Sequence, residues 1–162
     1  MRLKLLIPIL FTLAAMTSIA QENDVDERMQ QQLDSMEFSY EIDQNNDFRF
    51  LWQLEDERTQ LLWISSSTYE YMGMEIREVW SPAIVFDGPV PEDVANRVLQ
   101  DSYNQIIGSW YSRTNEEGAS MLIFAAKIPA EASNEYLGAT VSAVIHAADA
   151  MEAALTDGED QY

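Results

Sequence analysis

The chain has 162 residues, 28 acidic side chains against 9 basic ones, one histidine and no cysteine, for a formal net charge of −19. That balance opposes nucleic acid and anionic membrane surfaces as partners. The lack of cysteine excludes disulfides, cysteine nucleophiles, thiolate zinc sites and iron–sulfur clusters, while 47% hydrophobic residues and this length fit one folded domain.

Residues 1–20 have the layout of a secretory signal peptide. Arg2 and Lys4 open it, and an uncharged apolar run follows from Leu5 to about Met16. Ser18-Ile19-Ala20 then places small residues three before and one before a cut after Ala20. Leu5 to Ala20 is 16 residues, short of the roughly 20 that a spanning helix needs. The expectation is an exported, periplasmic protein with no membrane attachment after cleavage. Cleavage removes two positive charges and no negative ones, which takes the net charge from −19 to −21.

The mature chain then reads as one domain over 21–155. Val25, Met29, Leu33 and Met36 make one apolar stripe, predicting a helix over about 24–36 that Asp24 and Glu27 suit at its start. The period changes to two at Phe38, Tyr40 and Ile42, and again at Phe48, Phe50, Trp52 and Leu54, which predicts two half-buried strands around the turn cluster Gln44–Asp47. Leu61 to Ile64 is apolar on both faces and reads as a central strand. Ser65 to Gly73 reads as a loop or hairpin tip. Met74 to Trp80 is a fourth strand that Pro82 should end or push to an edge. A helix follows from Pro91, with Val94, Val98 and Leu99 inward and Gly108 as its stop. Trp110-Tyr111 opens a fifth strand, Asn115–Gly118 is a turn, and Met121 to Ile128 is a sixth strand. Ala130 to Leu155 is a long Ala-rich helix, and 156–162 is an acidic tail expected to be disordered. The expected fold is α+β, an antiparallel sheet of five to six strands with helices packed on it, in the order α-β-β-β-β-α-β-β-α.

Few residues suggest chemistry. His146 has Ser142 and Asp149 at helical spacing, but no nucleophile or metal partner follows from local spacing, so a satisfied or solvent-facing histidine is the better reading. Asp43, Asn45 and Asp47 have the 1-3-5 spacing of a calcium loop, yet Phe48 stands where its glycine belongs and Leu54 where its glutamate belongs. Ser65-Ser66-Ser67 lacks a nucleophile elbow. No catalytic residue, metal ligand or cofactor is assigned. The aromatic residues say more: Tyr69, Tyr71, Met72 and Met74, with Trp80 close by, could form an adaptable contact patch for a peptide or a second copy.

The stretch Asp47–Gln60, together with Glu75-Ile76-Arg77-Glu78-Val79-Trp80-Ser81-Pro82, resembles the YbjN family of bacterial proteins labelled as sensory-transduction regulators. The resemblance covers about residues 24–155. It implies an α+β domain similar to type III secretion chaperones, which are small acidic dimers that bind extended segments of other proteins, and it brings no catalytic residues. This chain departs from those chaperones in its leader and in one more strand before the middle helix.

The functional expectation is an exported, non-enzymatic, chaperone-like module. Its partner is a protein or peptide segment, basic if the net charge decides, docked through Tyr69, Tyr71, Met72, Met74 and Trp80. The alternatives are a self-associating envelope protein that dimerises through its C-terminal helix, and a hydrolase using two carboxylates beside a tryptophan platform.

Overall fold

A computed structural model of the chain describes residues 24–54 and 57–162; the expected signal peptide over 1–20 lies outside them. Helix α1 (Glu27–Ser35) starts where the Asp26 carboxylate accepts a hydrogen bond from the Arg28 N–H at 2.9 Å, pairing one of the donors that a helix start leaves open. Strands β1 (Glu41–Ile42), β2 (Phe48–Gln53), β3 (Thr59–Tyr71) and β4 (Met74–Phe86) follow. Then come α2 (Glu92–Asn104), β5 (Ser109–Thr114), β6 (Ser120–Pro129) and α3 (Asn134–Leu155). The order is the one that periodicity predicts. All strand pairs are antiparallel, in one six-stranded sheet ordered β1-β2-β3-β4-β6-β5.

Strand alternation divides the side chains between two faces. Phe48, Phe50, Leu62, Ile64, Val79 and Phe124 point to one face and join Leu33, Val98 and the inner side of α3 in a single core. Burying each such side chain contributes about 1.5–3 kcal/mol of transfer free energy. All three helices feed residues into this core, so they cover the same face. The other face carries no helix among the described residues.

Several local expectations are corrected. Residues 65–71 are strand, because β3 and β4 run 13 residues each. The three serines sit at a register shift between Ile64 and Thr68. Arg77, 1% exposed, seals that bulge: it donates to the Ser65 and Ser66 carbonyls and to the Asp26 carboxylate. Pro82 neither ends β4 nor moves it to an edge. It has no N–H to give to the ladder, and side chains bridge the gap. Ser81 Oγ donates to the Leu61 carbonyl at 2.5 Å, and Gln60 Nε2 donates to the Pro82 carbonyl at 2.6 Å. Leu99 is 67% exposed and is not part of the inner side of α2. Phe38 and Tyr40 lie before the two-residue β1 and pack by ring edges on Trp52 and Phe48, with centroids at 5.5 and 5.2 Å. Helix α3 begins at Asn134, where Ser133 caps it.

The acidic segment 156–162 is not a loose tail. It folds back on the start of β3: Asp160 accepts from the Thr59 N–H at 3.0 Å, the Tyr162 carbonyl accepts from the Thr59 hydroxyl, and Gln161 N–H donates to Glu152 Oε1 at 2.8 Å. Arg58 holds the same corner by pairing with Asp149 at 2.6 Å.

Candidate functional site

The helix-free face is built by β3, β4, β5 and β6. At its far end, Met72-Gly73 forms the two-residue loop joining β3 to β4, with positive φ at both positions, 51° and 82°. This is the hairpin turn whose twist matches its strands. Glycine adopts it freely, whereas a methionine pays about 1–2 kcal/mol for the left-handed conformation. A strained, exposed residue that packing does not require is a pointer to function, and Met72 is 86% exposed.

Behind the loop, the register pairs Tyr71 with Met74 and Tyr69 with Ile76, all on the helix-free face by strand alternation. Tyr69, Tyr71 and Met74 are each more than half exposed. Further along, Trp63 pairs with Trp80, and their rings stack at 4.4 Å with 7° between planes. Trp63 Nε1 donates to Asp43 Oδ2 at 3.1 Å, which fixes the stack at one end. At the other end Arg113, from β5, lays its guanidinium over both the Trp80 and Tyr111 rings, 5.5 and 5.4 Å from their centroids. It donates to Glu78 Oε2 at 3.1 Å. Ile123 and Ala125 are buried under this layer and stand apart from the main core. Lys127 Nζ sits 5.7 Å from the Tyr69 ring centroid, and Lys127 faces Glu78 across the β4–β6 ladder.

A groove of about 520 Å³ opens between these groups, walled by Tyr69 and Lys127 and by Tyr111 and Arg113, with Glu78, Ala125 and Gly108 also lining it. Gly108 has φ +86°, and a Cβ there would stand 2.5 Å from Phe124 Cε1, so the chain enters β5 closely enough that only glycine fits. The Tyr111 hydroxyl is buried, with Glu78 and Arg113 as its polar neighbours. Burial, followed by the charge of Glu78, pushes its pKa up to about 12, so it stays a protonated donor.

Of the five residues expected to make contacts, Tyr69, Tyr71, Met72 and Met74 are exposed at the loop end of this face, and Trp80 is half-buried in the stack with Trp63. The fold brings Trp63, Tyr111, Arg113 and Lys127 beside them, and the only signal for these four in the sequence is the placement of aromatic and basic residues on strands. The other candidates separate. Asp43 Oδ1 accepts from the Asn45 and Asp47 N–H groups at 2.8 and 3.0 Å, which makes the calcium-like spacing a turn, and among the described residues no group of acids and histidine is placed to hold a metal. Asp149 is paired with Arg58, and His146 Nδ1 lies 2.7 Å from the Ser142 carbonyl, so the His–Asp pair does not form. No protein-family model matches the chain, and no curated protein matches its sequence.

Proposed function

We propose that the protein is an exported, non-enzymatic module that binds an extended segment of another protein on the helix-free face of its sheet. The observation that carries this reading is the layout of that face. An aromatic strip runs from the Tyr71–Met74 pair through Tyr69 to the Trp63–Trp80 stack with no helix over it among the described residues, and its exposed end combines tyrosine and methionine, residues enriched in protein interfaces. The chaperone-like role implied by the resemblance to the YbjN family agrees with such a face, and export agrees with the start of the chain. The test is a crosslinked capture with tagged residues 21–162, in the wild type and in a Tyr69→Ala, Tyr71→Ala, Met74→Ala triple variant. One stoichiometric partner that the triple variant loses, with its urea midpoint unchanged, supports the reading. A partner captured equally by both proteins overturns it.

Self-association is a second reading, favoured by a different surface. Leu99, Tyr103 and Ile106 follow one another along α2 and just past it, all strongly exposed. Helix α3 instead turns Leu137, Val141, Val144 and Ile145 into the core, so a dimer would use α2. Sedimentation of wild type and Tyr103→Glu decides it: a dimer that the variant dissociates favours self-association.

A further inference from the structure

The step between β5 and β6 adds a chemical preference to the proposed docking face, and this preference rests on that reading of the face. β6 pairs with β4 as far as Pro129, but β5 pairs with β6 only from Ser120 to Ala125. Residues 126–129 therefore have β4 as their one ladder partner among the described residues. The groove opens at this step, so a segment continuing the line of β5 would run beside it.

The groups over that step select for charge. The protein carries a large excess of acid, yet this groove has two cations, Lys127 and Arg113, against one carboxylate, Glu78. Arg113 sits over the Trp80 and Tyr111 rings, with Nη2 toward Glu78 and its side chain 55% exposed. A guanidinium fixed in this way is arranged in advance to accept a second carboxylate. Lys127 has no ion pair among the described residues and rests against the Tyr69 ring. The buried Tyr111 hydroxyl sits beside the same Glu78 and Arg113. The long-range field of the chain favours a basic partner, while the groove favours the opposite charge at one position.

We infer that the groove seats an extended polypeptide segment of another protein that pairs with residues 126–129 of β6 and places one Asp or Glu carboxylate between Lys127 and Arg113. Side chains alternate along a strand, so the neighbours of that acid would point away from the groove.

The test is a selection of random twelve-residue displayed peptides on the purified protein, repeated on Lys127→Met and on Arg113→Lys, which keeps a charge against Glu78 but loses the guanidinium fork. Circular dichroism and urea midpoints of both variants should match the wild type. The expected result is a set of peptides sharing one acidic position among β-branched residues. Lys127→Met should lose that acidic bias, and replacing the acid by its amide in the leading peptide should weaken binding about tenfold or more. N-methylation of alternate backbone amides in one register should abolish binding. Peptides without acidic bias that the Tyr69→Ala, Tyr71→Ala, Met74→Ala triple variant loses overturn the carboxylate assignment and leave the docking face standing. Binding that survives N-methylation in both registers overturns the strand pairing. No enrichment over the unselected library overturns both the inference and the docking face.

Discussion

The two faces of the sheet solve the same problem differently. The covered face buries Phe48, Phe50, Leu62, Ile64 and Phe124 under three helices, and it encloses Arg77, which donates to the Ser66 carbonyl and to Asp26. The bare face builds a second, thinner layer from flat groups, two stacked indoles, a tyrosine and a guanidinium, over Ile123 and Ala125. A sheet face can thus shelter its apolar backing without a helix and still leave polar edges available to a partner. Stability should therefore reside on one side and recognition on the other, and substitutions can separate the two.

The largest effect should come from Arg77→Met. It leaves the Asp26 carboxylate without its buried partner and opens the serine bulge, and removing one member of a buried pair costs about 3–5 kcal/mol. A urea titration reads the loss. The same pair sets the acid limb of stability. Burial pushes the Asp26 carboxyl up, but hydrogen bonds from Arg28 and Arg77 outweigh this and hold its pKa well below the carboxylate range. Its contribution is complete above the unfolded carboxylate pKa and is lost as pH falls through that range toward the folded value. Urea midpoints measured across acid pH should fall less steeply in Asp26→Asn than in the wild type.

Gly108→Ala probes the seam where the two faces meet. The new Cβ would meet the Phe124 ring and the Ala125 carbonyl at 2.5 and 2.8 Å, so a loss of about 1–3 kcal/mol is expected, together with a distorted groove. Trp63→Leu removes the stack but keeps an apolar side chain. It should cost about 1 kcal/mol beyond the area lost, and unchanged stability would mean that the bare face contributes nothing to folding. The smallest effect separates the faces most sharply. Met72→Asn relieves the left-handed strain and should raise stability by about 0.5–1 kcal/mol while weakening partner capture. A variant that gains stability without losing capture would remove Met72 from the interface.

The elements were legible because their patterns are local. Phe48, Phe50 and Trp52 alternate, and Leu137, Val141, Val144 and Ile145 recur at helical spacing, so strand and helix could be read directly. Pro82 misled for a physical reason: its missing donor is replaced by Gln60 and Ser81 side chains, and Gln60 lies on another strand. Tyr69, Tyr71 and Met74 could be found because they flank a loop. Arg113 and Lys127 could not, because the hairpin that carries them joins the sheet beside β4 only after α2 has crossed, and nothing local in the sequence sets that order. Arg58 and Thr59 likewise gave no sign that they would hold the C-terminal segment through Asp149 and Asp160.

The Trp63–Trp80 stack has an optical consequence. Two indoles 4.4 Å apart and nearly parallel couple their electronic transitions, so the near-ultraviolet spectrum of the pair differs from that of isolated indoles. Because Arg113 rests on one of the rings, anything that draws the guanidinium away changes the surroundings of the pair. The bare face thus carries its own chromophore, and its occupancy can be followed in the unlabelled protein.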